Sequence, residues 1–93
     1  MTGIEQIAKE RAEQIAKHGR TIQGDVDENR CGELRRGAIA LICGHGEGDI
    51  SELPSQWDDN ICRKMMRKSY KERLVIAGAF IAAEIDRLEA GGS

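Results

Sequence analysis

Charged side chains gather at two places in this sequence, and each gathering suits a different chemistry. The first is acidic: Asp25, Asp27 and Glu28, with Glu33 a little further on. Carboxylates set this close can hold magnesium, which takes oxygen ligands and keeps several of its waters. The plainer reading is a solvated loop whose acids cap the next helix. Charge runs usually lie at the surface, so no metal ligand is assigned. The second gathering is basic. Arg63, Lys64, Arg67, Lys68, Lys71 and Arg73 put six bases into eleven residues beside one acid, Glu72. On a helix, Arg63, Arg67 and Lys71 share one face at spacings of four, with Lys64 and Lys68 flanking it. Such a face holds phosphates or an acidic protein surface. The plainer alternative is a solvated face that balances the segment Glu47 to Asp59, which has five acids and no base. The binding candidates are Arg63, Lys64, Arg67, Lys68 and Lys71, together with Trp57 and Arg20.

Other motifs carry less. Gly44-His45-Gly46-Glu47-Gly48 has the composition of a phosphate loop, but it follows a helix and lacks the Gly-Lys-Ser/Thr element. Cys31, Cys43, Cys62 and His45 have no paired zinc-ligand spacing. An odd number of cysteines without a framework reads as reduced thiols of a cytosolic protein. No Ser/His/Asp or Cys/His relay can be nominated.

These residues need elements to position them. Leu74 to Ala83 is ten consecutive residues without a charged or hydrogen-bonding side chain. A surface helix shows one apolar stripe, whereas this one is apolar all round. It is too short for a bilayer, which needs about twenty such residues. The run predicts a central helix covered by other helices or by another copy of the chain. Ser69-x-x-Glu72 opens it with a capping box. Leu74, Gly78, Ile81, Ile85 and Leu88 step 4-3-4-3, a seam for a partner helix. A second capping box, Thr2-x-x-Glu5, starts a first helix at Gly3 or Ile4. Its apolar face is Ile4, Ile7, Ala8, Ala12, Ile15 and Ala16, and Gly19 ends it. Arg20 to Arg30 reads as a loop. A second helix runs from about Gly32 to Cys43, capped by Asp27 or Asn29, with Leu34, Ala38, Leu41 and Ile42 inward. Gly37 and Ala38 are small enough for close approach. A short helix from about Asp59 to Lys68, capped by Asp58 or Asp59, turns Ile61, Met65 and Cys62 inward.

The expected fold is all-α, one domain over residues 1–90 with three main helices and one short one. Gly91-Gly92-Ser93 reads as a linker remnant. The chain has 93 residues, three of them aromatic, so its core is small and oligomerisation through the last helix is expected. Fourteen bases against sixteen acids give a net charge of −2, which argues against indiscriminate nucleic-acid binding. The first residues, MTGIEQIAKE, have neither a basic start nor an apolar run, so no signal peptide is expected.

Several segments together give a likeness. Glu10-Arg11-x-x-Gln14-Ile15 is followed by Gly19-x-Thr21, Asp25 and Asp27, Gly32-Glu33-Leu34, and Trp57. Arg73-Leu74-Val75-x-Ala77-Gly78-Ala79 then leads to Ala83-Glu84-Ile85-Asp86-Arg87-Leu88. In this order and spacing the chain resembles a family of short helical proteins of bacteriophage and prophage genomes, most without an assigned function. It departs from them at Gly19-Arg20-Thr21, where they have Gly-Trp-Thr, and at Asp25-Val26-Asp27, where they have adjacent aspartates. The resemblance implies an accessory protein of the host cytosol. Such a protein binds and inhibits a host defence complex, as anti-CRISPR proteins do, or captures a nucleotide-type signal, without catalysis or cofactor. The alternative is a magnesium-dependent nucleotide pyrophosphohydrolase like those of the MazG type. Glu10, Glu13, Glu33, Glu84 and Asp86 supply carboxylates for it, but their spacing differs from that signature.

Overall fold

A computed structural model of the chain describes residues 1–18, 22–24, 32–44 and 57–91. Among these residues every regular element is helical, so the chain is all-α as its patterning predicts. Helix α1 spans Gly3–His18, α2 Glu33–Cys43, α3 Asp59–Met66 and α4 Tyr70–Glu89. Residues 22–24 also form a helical turn, inside the segment expected to be loop. No helix among the described residues is long and apolar enough to cross a membrane.

The helix starts follow from local chemistry. Thr2 Oγ1 accepts from the Glu5 N–H at 3.2 Å, and the Glu5 carboxylate accepts from the Thr2 N–H at 2.9 Å. Ser69 Oγ accepts from the Glu72 N–H at 3.2 Å and donates to the Glu72 carboxylate at 2.9 Å. Both capping boxes thus form where expected, each satisfying donors that a helix start leaves open. The hydroxyl of Ser69 and then its backbone hold the Glu72 carboxyl below its ordinary value of 4.5. Asp58 caps α3 by accepting from the Ile61 N–H at 3.1 Å. Helix α2 is different. The residue before it is Gly32, in the left-handed region at φ 86°, and no side chain caps it. Asp27 and Asn29, the expected caps, lie outside the described residues. At the far end of α4, Gly91 adopts φ 96° and its N–H donates to the Leu88 carbonyl. The first residue of the expected linker therefore closes the last helix.

Helix α4 packs on α2 and on α1. On its inner face Ile76, Ala77, Phe80 and Ala83 meet Leu34, Ala38 and Leu41 of α2 and Cys62, Met65 and Met66 of α3 in one buried cluster, and Ala79 is buried as well. Each large side chain buried here contributes about 1.5–3 kcal/mol. Gly37 is the close-approach point. The Trp57 ring lies over it, so a Cβ there would sit 2.6 Å from Trp57 Cη2 and 3.3 Å from Phe80 Cδ2. Trp57 also tilts against Phe80, with centroids 5.2 Å apart. The Trp57 side chain is therefore packed against the body, the ordinary role of a lone tryptophan.

The expected inner faces of α2, α3 and α1 are corrected. Ile42 and Ile61 are exposed, because their helices turn Ala40 and Met66 inward instead. Helix α4, expected to be covered by other helices or by another copy of the chain, leaves Leu74, Ile81, Ile85 and Leu88 40–53% exposed within one chain. The largest change is in α1. Ile4, Ala8, Ala12 and Ile15 face solvent, while Arg11 and Gln14 are buried. Of the expected apolar face only Ile7 reaches the body, where it fills the notch at Gly78; a Cβ on Gly78 would lie 2.6 Å from Ile7 Cδ1.

Two outcomes check this packing. Gly37→Ala drives a methyl into the Trp57 ring, so it should destabilise by about 1–3 kcal/mol. It should also red-shift the emission of the single tryptophan, and unchanged emission with unchanged Tm would overturn the contact. A carboxyl lowered in the fold adds stability above its ordinary pKa and loses it as pH falls through the lowered one. Ser69→Ala should therefore lower Tm at neutral pH, and the gap to wild type should narrow as pH falls below 4.5 without closing, because the bond from the Glu72 N–H to Ser69 Oγ does not titrate. A gap of constant size into strong acid would detach the Glu72 carboxylate from this cap.

Candidate functional site

The basic segment divides into parts with different duties. Asp58 and Asp59 begin α3, and Arg63 and Lys64 stand in its last turn, the order that suits the helix dipole. Cys62, Met65 and Met66 point inward. Arg63, Lys64 and Arg67, at spacings of three and four, therefore share the opposite face, and all three are exposed. The helix ends there: Arg67 is its C-cap, and Ser69 opens α4. Arg63, Arg67 and Lys71 thus do not run down one continuous helix, which corrects that expectation.

Lys68 and Lys71 stand beyond the turn and are exposed. Lys68 pairs with Glu72 at 3.8 Å. The two lysines border an open groove of about 410 Å³, with Glu72, Gln6, Glu10 and Val75 also lining it. Two carboxylates balance two ammonium groups there, so the groove is not a strongly cationic site. Arg73 has left the surface cluster altogether. Its guanidinium donates to the Leu41 carbonyl at 2.9 Å and the Gly44 carbonyl at 2.6 Å. It also stacks 5.6 Å from the Tyr70 ring centre. Those carbonyls end α2 and have no helical partner, so Arg73 joins α4 to the end of α2. Trp57 belongs to the packed cluster described above. Arg20 lies outside the described residues.

A second polar group is partly buried, with Arg11, Gln14 and Arg87 buried and the Asp86 side chain 43% exposed. Arg11 reaches Asp86 at 3.4 Å, Gln14 donates to Glu10 at 3.2 Å, and Arg87 forks onto Glu84 at 2.5 and 3.2 Å. Contacts with α2 run in opposite senses: Arg73 meets Leu41 and Gly44, and Phe80 meets Gly37. Arg87 of α4 and Glu33 of α2 are both buried. The Gln14 carbonyl oxygen is buried without a hydrogen-bond partner. These residues come from the segments Glu10-Arg11-x-x-Gln14, Gly32-Glu33 and Ala83 to Arg87, which the sequence offered only as separate pieces. In the sequence they look like ordinary polar positions of amphipathic helices, and no spacing sets them apart. The chemistry is that of a closed ionic lock: Glu84 and Asp86 are engaged by arginines. Among the described residues no three His, Cys, Asp or Glu side chains converge as a metal site. Asp25, Asp27, Glu28, Cys31 and His45 lie outside those residues. Cys43 and Cys62 carry thiols, one exposed and one buried.

Removing one partner of a buried ion pair leaves the other charge uncompensated. Arg87→Met should cost about 3 kcal/mol, and Arg87→Met with Glu84→Leu should recover part of the loss. Chemical denaturation of the three proteins measures this, and a double variant less stable than the single one would overturn the lock. Compared with known proteins, the chain matches no family model, no curated protein and no solved structure.

Proposed function

We infer that this is a non-catalytic binding protein of the bacteriophage accessory type, acting in the host cytosol. It engages an acidic surface of a host defence complex, or a phosphate-bearing signal molecule, through α3. The observation that carries this reading is the exposed face of Arg63, Lys64 and Arg67, in a chain whose net charge is −2. Arg63 and Lys64 also stand in the last turn of α3, where positive charge suits the helix dipole. The phage setting rests on the resemblance read from the sequence segments.

Arg63→Glu with Lys64→Glu separates binding from stability. Both side chains are exposed, so the helical circular dichroism should be retained. Each charge-assisted contact is worth about 1.5–3 kcal/mol, so losing two should weaken affinity more than tenfold. Binding of heparin and of a panel of linear and cyclic nucleotides, followed by calorimetry at rising salt, provides the readout. A folded double variant that binds as wild type, or binding indifferent to salt, would remove α3 from the site. Release of pyrophosphate from nucleoside triphosphates with magnesium would replace this reading by the pyrophosphohydrolase one.

A further inference from the structure

We propose that the outward faces of α1 and α4 form a two-fold interface with a second copy of this chain, with the two α4 helices antiparallel. Leu74, Ile81, Ile85 and Leu88 lie 40–53% exposed on one side of α4. Gly78 belongs to the same seam, and its notch is filled by Ile7 of α1. Contacts between these helices advance together, from Ile7 at Gly78 to Arg11 at Asp86, so α1 and α4 run side by side in one direction. The exposed stripe of α1, Ile4 to Ile15, therefore adjoins the seam rather than standing apart from it. Helix α1 buries Arg11 and Gln14 while Ile4 is 83% exposed. In a lone molecule that orientation loses the apolar stripe to water. With a second copy seated on it, both faces of α1 are used.

The seam and its flanking charges say what the occupant is. Leu74 and Leu88 stand seven residues either side of Ile81. A two-fold axis at Ile81 therefore sets Leu74 of one copy against Leu88 of the other, and Ile81 against itself. The same patch serves both subunits, as a closed dimer requires. Among the exposed charges of α4, Lys71 stands in the first turn and Glu89 in the last, each opposite to what the helix dipole favours. Lys71 and Glu89 are both exposed and are eighteen residues apart, five full turns, so they lie on the same side of the helix. Antiparallel pairing brings Lys71 of each copy within one turn of Glu89 of the other, twice by symmetry. A parallel pair would oppose like charges at both ends instead. This arrangement is independent of the anion-binding reading, which rests on α3.

Sedimentation equilibrium of the full chain over about 1–100 μM tests it, since dimer mass is concentration-dependent. The expected mass is twice 10.3 kDa. Ile81→Glu should give a folded monomer, with circular dichroism reporting the fold. Lys71→Glu should weaken dimerisation about tenfold by opposing like charges, and adding Glu89→Lys should restore it. That rescue keeps the test valid should Ile81→Glu fail to fold. A wild-type monomer throughout the range, a trimer, or a charge swap that restores nothing would overturn the proposal. A monomer would leave the face to a different protein.

Discussion

Phe80 is the contact on which the arrangement of the other helices depends. With three aromatic residues in the chain, one aromatic pair has to do what several do in larger cores. Phe80 is almost wholly buried, and it sits where α4 crosses Gly37 of α2 with Trp57 laid across both. Close approach at Gly37 is possible only because no Cβ stands there. The position is helical, and glycine costs about 1 kcal/mol relative to alanine in a helix. That cost is offset by admitting the largest side chain in the protein. Arg73 then fixes the crossing from the other end by tying α4 to the last carbonyls of α2. One apolar and one polar contact, seven residues apart on α4, thus set the register between the two helices.

The legible parts of this fold were those decided within a few residues. Thr2-x-x-Glu5 and Ser69-x-x-Glu72 announce helix starts because a cap and its target lie three residues apart. Gly44 and Asp58 mark ends for the same reason. Which face of a helix turns inward is not local in that sense. Periodicity found an apolar stripe on α1, Ile4, Ile7, Ala8, Ala12, Ile15 and Ala16, of which only Ile7 turns inward. It could not show that Arg11 and Gln14 would be taken into the body instead. That choice follows from partners on α4, Asp86 above all, more than seventy residues away in sequence.

The basic segment shows the same limit from another side. In the sequence, Arg73 is one of six similar charges. Its position relative to α2 alone makes it a cap rather than a surface base. Lys68 is likewise drawn to Glu72 within its own turn. Arg63, Lys64 and Arg67 remain on the solvent face because the short α3 has three buried side chains on its other side. Composition found the cluster, and packing divided it between structural and surface duties.

The two proposed surfaces constrain each other. Antiparallel pairing about Ile81 uses Lys71 against Glu89 and leaves α3 outside the seam. A twenty-residue helix is about 30 Å long, and α3 precedes its start in each copy. The dimer would then carry its two basic faces near opposite ends of the paired helices. Two such faces cannot close on one small signal molecule. They suit two separate ligands, or an extended or symmetric acidic surface that engages both at once and gains from effective concentration. Of the two partner classes considered for α3, the dimer therefore favours a macromolecular surface.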